Sequence, residues 1–202
     1  MLATFVAGLL DAVGFVQLSG LFVSFMSGNS THLGMSLARA DWPAVLAALG
    51  VVGAFSAGAL GGTLVYDTAA PARRLRLVLA GELALVLLAL GLVLLGQATA
   101  GLGLVAFAMG WQNLVHRSVA GADIGRSFIT GALFGLGQAA ARAIRGAGPA
   151  GAVWAYGAAW LAFVTGAAGG ALILMRLGLV EALAVAAALV AVLLLLALRA
   201  RA

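Results

Sequence analysis

Charge is scarce in this sequence: 8% of its 202 residues are charged, 64% are hydrophobic and the mean hydropathy is +1.18. A soluble domain carries about 25% charged residues, so this chain lacks the polar surface of a water-soluble fold. Cysteine is absent, which excludes disulfides, thiolate metal sites and a cysteine nucleophile. Lysine is absent too, and the eleven basic residues are arginines spread along the chain. This dispersion argues against a nucleic-acid-binding protein.

Long apolar runs make up much of the sequence. Each is close to the ~20 residues that an α-helix needs to cross ~30 Å of hydrocarbon. None alternates with the period of two that a barrel strand shows. The sequence therefore predicts an all-α polytopic membrane protein, with its clearest spans in 44–65, 77–96, 150–175 and 178–198.

The second half of the chain resembles the first. Three blocks match in the same order: SFMSGNSTHLGMSLARA with SFITGALFGLGQAAARA, GLLDAV with GWQNLV, and AFSAGALGG with AFVTGAAGG. Their offsets are 103, 102 and 108 residues. Internal repetition of this kind indicates a duplicated structural unit. We interpret the chain as a single membrane domain, 1–202, made of repeat 1 (1–98) and repeat 2 (99–202).

Each repeat begins with a polar-interrupted segment, 3–40 or 102–143, and continues with two apolar helices. A straight helix over the first segment would measure ~57 Å at ~1.5 Å per residue, so the segment crosses once as a broken helix or crosses twice. One crossing places seven of the eleven arginines on the N-terminal side, whereas two crossings divide them almost evenly. The positive-inside rule favours one crossing, with both termini in the cytoplasm.

One crossing per interrupted segment gives each repeat three spans. Because three is odd, the second repeat must be inverted relative to the first, as in many secondary transporters. We therefore expect about six transmembrane helices as two inverted three-helix repeats, the first helix of each repeat broken. The expected location is the bacterial inner membrane.

The run SGNS, at 27–30, is the predicted break in repeat 1. Non-helical backbone at membrane depth is tolerated where it is buried in protein or lines a wet cavity. Gly28 suits unusual backbone dihedrals, while Ser27, Asn29 or Ser30 suits the cap of the next half-helix. ITGA, at 129–132, is the expected partner in repeat 2. The alternative is that these small residues only permit tight helix packing.

Ionisable residues in apolar segments point to function by default. Asp11 lies between AGLL and AVGF, where it would couple protons or a cation, or serve as an ion pair or helix cap near the interface. His32 is a proton acceptor or a hydrogen-bonded structural residue. The repeat mate of Asp11 is Asn113, which belongs to a second polar cluster, GWQNLVHR, at 110–117.

We predict a solute site between the two broken helices. Arg117 would pair with Asp11 across the pseudo-symmetry axis, or act with His116 as a gate. The predicted binding residues are Asp11, Ser27, Gly28, Asn29, His32, Gln112, Asn113, Thr130 and Gly131.

The function that fits best is a small-solute transporter or channel, with proton or cation coupling as an option. A membrane scaffold without transport is the alternative, and an intramembrane hydrolase is a weaker one. His32 is two residues from Ser30 and five from Ser27, a poor approach for a general base. The G-x-S-x-G elbow and the H-E-x-x-H pair do not occur in the sequence. We expect no enzyme activity, catalytic residue, cofactor or metal; the expected partners are lipid, an unknown small solute and a second copy in a homodimer, and not nucleic acid.

Two stretches carry a family resemblance: AGLLDAVGFVQLSGLFVSFMSGNSTHLG and AMGWQNLVHRSVAGADIGRSFITGALFGLG. They resemble the YoaK-like family of small bacterial inner-membrane proteins, whose pattern is A-G-x-x-D-A-x-G-F, M-T-G-N, A-x-G-x-Q-N and V-T-G. Ser27 replaces the Thr of the second motif and Ile129 the Val of the fourth. The resemblance implies about six spans and a domain of unknown function. The matching residues are Ala7, Gly8, Asp11, Ala12, Gly14, Phe15, Met26, Gly28, Asn29, Ala108, Gly110, Gln112, Asn113, Thr130 and Gly131.

Overall fold

The computed structural model describes residues 1–114, 117–119, 122–124 and 129–200. This part of the chain is helical apart from one short antiparallel hairpin between β1 and β2. The prediction of an all-α protein is confirmed in this sense. The elements are α1 (Leu2–Gln17), α2 (Met26–Ala38), α3 (Trp42–Thr68), α4 (Pro71–Leu94), α5 (Ala98–Gln112), β1 (Arg117–Val119), β2 (Ala122–Ile124), α6 (Ile129–Ile144), α7 (Ala150–Arg176) and α8 (Leu179–Arg199).

Four of the described helices are long and apolar enough to cross a membrane: α3, α4, α7 and α8. They coincide with the four apolar runs of the sequence, and α1 is a shorter apolar helix. The chain is therefore a multi-pass membrane protein. Many large apolar side chains on the long helices are exposed, as is expected of surfaces that face lipid.

Each interrupted segment contains two helices in series. In repeat 1, α1 has 16 residues and α2 has 13; in repeat 2, α5 has 15 and α6 has 16. A 16-residue helix is ~24 Å long, less than the ~30 Å hydrocarbon thickness. None of these four helices reaches the length of a full crossing by itself.

The helix break in repeat 1 lies at 18–25, before SGNS. The chain leaves α1 through Ser19 and Gly20, whose φ angles are 52° and 93°. Gly28 lies inside α2 without a positive φ, and Phe25 is the N-cap of α2, with no side-chain capping bond. The predictions that Gly28 breaks the helix and that Ser27, Asn29 or Ser30 caps the next one are therefore wrong. The turn is made at Ser19 and Gly20, which adopt left-handed backbone. Gly28 instead packs against the ring of Phe25.

The two halves pack on each other crosswise through glycines. On α7, Gly166 contacts the carbonyl of Phe5 in α1, and on α3, Gly58 contacts the carbonyl of Phe107 in α5. Each contact has a reverse: Gly8 meets the carbonyl of Phe163, and Gly110 that of Phe55. A Cβ atom at any of the four glycines would overlap the carbonyl oxygen it faces. Thus α1 of repeat 1 packs on α7 of repeat 2, and α5 of repeat 2 packs on α3 of repeat 1.

The core lies along α1, α5 and the inner faces of α4 and α8, which contact each other. Trp111 joins α5 to α4, because its indole Nε1 donates to the carbonyl of Val78 at 3.1 Å and its ring lies against Gly81. The largest fully buried apolar side chains are Leu9, Leu10, Leu102, Met109 and Leu183.

Candidate functional site

A cavity of about 320 Å³ lies where α2 and α6 begin. Its volume is at the lower end of the ~300–1,000 Å³ that small-molecule sites occupy. Both interrupted segments contribute to it, although their residues lie about a hundred positions apart. The described residues that line it are Ser24, Phe25, Met26, Ser27, Phe55, Asn113, Ile129, Thr130 and Gly131.

Four of the predicted site residues line this cavity. Ser27 and Thr130, which the repeat alignment pairs, come from the first turns of α2 and α6. Gly131 follows Thr130, and Asn113 enters from the end of α5. The structure therefore brings the start of SGNS and ITGA to one cavity.

Asp11 lies behind the cavity wall, with only 3% of its surface exposed. Its Oδ1 accepts a hydrogen bond of 2.7 Å from the backbone N–H of Ser24, and Ser24 is itself a lining residue. The carboxylate fixes the non-helical chain just before α2. The Ser24 hydroxyl lies beside this carboxylate but makes no hydrogen bond of regular geometry within the described residues.

Asn29 holds the same loop from the other side. It is fully buried; its Oδ1 accepts from the Phe22 N–H at 2.8 Å, and its Nδ2 donates to the Phe22 carbonyl at 2.7 Å. The amide side chain thus satisfies both backbone groups of a residue outside any helix, as a neighbouring strand would. Asn29 is not among the lining residues, so its position indicates support of the cavity wall.

The remaining predicted residues lie elsewhere. His32, on α2, is partly buried with its Nδ1 3.5 Å from the Ser36 hydroxyl. Gln112 is fully buried near the sulfur of Met109, and its Oε1 has no hydrogen-bond partner in the described part of the chain. His116 lies outside the described residues, and Arg117 is described only as backbone in β1. The predicted ion pair of Arg117 with Asp11, and the predicted gate of Arg117 with His116, therefore involve side chains outside the described structure.

Sequence reasoning missed the apolar part of the lining: Phe25, Met26, Phe55 and Ile129. Phe25 was available from the repeat, since it aligns with Phe128 at the offset of 103. Phe55 had the same kind of signal, since it aligns with Phe163 at the offset of 108. Glu82, inside an apolar run of the sequence, is a fully buried carboxylate on α4.

The described residues contain no group of three or more metal-ligating side chains. The fold and cavity define a multi-pass helical membrane protein with a cavity where two interrupted segments meet. The chain belongs to the family described as "Protein of unknown function (DUF1275)", which it matches over residues 1–196. The resemblance to an uncharacterised membrane-protein family is confirmed at that level.

A relative by sequence is a UPF0700 transmembrane protein of Rhizobium meliloti (strain 1021). The two are 31% identical over 139 residues, which cover 69% of this chain and 59% of the relative. The match thus spans about three-fifths of that relative's length. No solved structure matches the chain.

Proposed function

We propose that this protein is a small-solute transporter or channel of the bacterial inner membrane. The observation that carries the proposal is the cavity shared by the starts of α2 and α6, to which both interrupted segments contribute. In inverted-repeat transporters, discontinuous helices place their half-helix starts at the substrate in this way. Ser27, Asn113, Thr130 and Gly131 are the proposed solute contacts.

We further propose that the chain is one domain of two inverted three-helix repeats with about six crossings. The crosswise glycine contacts support this, because the Gly58–Phe107 pair corresponds to the Gly166–Phe5 pair at the repeat offsets. The shortness of α1 and α2 supports a single broken crossing for the pair. The proposal that both termini lie in the cytoplasm rests on the arginine distribution and the positive-inside rule. The proposal also includes membership of the narrower YoaK-like family and assembly of two copies of the chain into a homodimer.

Asp11 and Asn29 have a supporting role in this mechanism. Both bond backbone groups of the loop at 18–25, so they hold one wall of the cavity against the first turn of α2. Movement of that loop would open or narrow the cavity without unfolding α2. Proton or cation coupling, if present, would act through Asp11 on this loop.

The test is solute flux into proteoliposomes, measured by stopped-flow swelling with a panel of small neutral and charged solutes. Thr130→Val keeps the side-chain shape and removes the hydroxyl from the cavity, so we expect flux several-fold below that of the unmodified protein. Thr165→Val is the matched control, because Thr165 is exposed on α7 and its hydroxyl bonds the carbonyl of Leu161 in its own helix. Flux no faster than in protein-free liposomes for every solute would reject transport and favour a scaffold.

A further inference from the structure

The chemistry of the cavity wall indicates what kind of solute fits, provided that the proposed transport function holds. Polar residues form one part of the wall: Ser24, Ser27, Asn113 and Thr130. Phe25, Met26, Phe55 and Ile129 supply the apolar part. A wall of this composition suits a solute with one hydrogen-bonding end and one apolar end.

Ser24 separates the cavity from the Asp11 carboxylate. The residue is 6% exposed and lines the cavity. Its backbone N–H is bonded to Asp11, and its hydroxyl lies beside the same carboxylate. The hydroxyl-bearing residues left to contact a bound solute are therefore Ser27 and Thr130.

Opposing charges surround the cavity. The starts of α2 and α6 carry the partial positive ends of two helices, which favour negative charge. The carboxyl of Asp11 lies behind the wall, where its Oδ1 accepts a hydrogen bond of 2.7 Å from the backbone N–H of Ser24. Its negative charge disfavours a bound anion. The described lining includes no acidic or basic side chain. A charged solute of either sign would therefore lose its hydration on entering the cavity and would find no charged partner among these groups.

We infer that the cavity binds an uncharged, amphipathic small solute with a hydrogen-bonding group such as an amide or a hydroxyl. Its polar end would contact Ser27 and Thr130, and its apolar end would contact Phe25 and Phe55. This inference opposes the simple expectation that two helix starts select an anion.

Three probes of matched shape test this inference: nicotinamide, nicotinate and 3-(aminomethyl)pyridine, which carry a neutral, an anionic and a cationic group on the same ring. Saturation-transfer NMR on the purified protein in detergent measures their binding at neutral pH. We expect nicotinamide to give a signal at least three-fold above that of either charged probe. Thr130→Val should reduce its signal by more than half, while Thr130→Ser, which keeps a hydroxyl, should restore it.

Thr165→Val again serves as the control and should leave the signal unchanged, with thermal unfolding confirming that each variant is folded. Equal or stronger binding of nicotinate or the amine would overturn the inference. So would nicotinamide binding that is indifferent to both Thr130→Val and Ser27→Ala, or no binding of any probe. Because binding is measured separately from flux, selective nicotinamide binding without swelling of proteoliposomes would reject transport while upholding the solute class.

Discussion

At the scale of single residues, the buried side chains of Asp11 and Asn29 form hydrogen bonds with the backbone. Asp11 accepts from the Ser24 N–H, and Asn29 bonds both backbone groups of Phe22. The chain between α1 and α2 lacks helical hydrogen bonds of its own, and an unpaired backbone group in such a place costs about as much as a lost hydrogen bond. Polar residues in an apolar segment are thus required wherever the helix is interrupted, whatever the solute.

Asp11 allows this role to be tested by two substitutions. Asp11→Asn keeps an oxygen acceptor for the Ser24 N–H, whereas Asp11→Ala removes it and leaves a buried donor unpaired. We expect Asp11→Ala to lower the free energy of unfolding by about 1–3 kcal/mol and Asp11→Asn to change it by well under half as much. Thermal unfolding of the purified protein in detergent measures both. An Asp11→Ala variant as stable as the unmodified protein would show that the carboxyl does not hold the loop.

At the scale of the helices, close contact of backbones joins the two repeats. Gly58 and Gly166 have the carbonyls of Phe107 and Phe5 in the position that a side chain would fill. Small residues permit such approach between membrane helices, and contacts from Cα–H to carbonyl oxygen contribute a further ~0.5–1 kcal/mol each. Gly58 forms a GxxxG pair with Gly62 on α3, and both glycines pack within the chain, Gly62 against Trp111 and Leu114.

Gly58→Ala should separate α3 from α5. The added methyl has no room beside the Phe107 carbonyl, and overpacking of this kind typically costs about 1–3 kcal/mol. Gly50, on the same helix, has no atom within 4 Å of an added Cβ, so Gly50→Ala should leave stability unchanged or raise it by up to ~1 kcal/mol. The melting temperatures of the two variants make the comparison. Equal changes in both would show that the close contact at Gly58 does not determine the effect.

The helix break could not be located from the sequence, for a physical reason visible in α2. Ser30 and Thr31 donate their hydroxyls to the carbonyls of Met26 and Ser27, one turn back. Polar side chains that bond their own helix do not interrupt it, so a polar run does not mark the break. The four long helices, by contrast, were predicted closely, because their length and hydropathy leave no other structure in a bilayer. Cavity residues were predicted where the repeat paired them, as for Ser27 and Thr130.

At the scale of the whole molecule, the two repeats share details that were not visible in the alignment. Ala40 follows α2 with a φ of 52°, and Gly146 follows α6 with a φ of 67°. The next residue in each turn donates to a carbonyl five positions back, Asp41 to Ser36 and Ala147 to Arg142. Glycine is the residue expected at such a helix end. Repeat 1 makes the same turn with alanine at this position.

The number of crossings determines which side of the membrane each turn faces. If α1 and α2 form one broken crossing, then with a cytoplasmic N-terminus the α3–α4 turn faces the cytoplasm and the α4–α5 turn faces the periplasm. Two separate crossings reverse both assignments. The native sequence has no cysteine, so single-cysteine variants can be labelled without a background signal. Ala70 and Gln97 are exposed in these two turns, which makes Ala70→Cys and Gln97→Cys suitable reporters.

For one crossing, a membrane-impermeant maleimide added to intact spheroplasts should label Gln97→Cys at once. It should label Ala70→Cys only after permeabilisation. Val190→Cys, at a fully buried position of α8, is the control and should stay unlabelled in both conditions. For a cytoplasmic N-terminus, the opposite pattern, with Ala70→Cys labelled first, would mean two crossings per interrupted segment. An even number of crossings per repeat would place both repeats in the same orientation, and the inverted-repeat mechanism would fail with it.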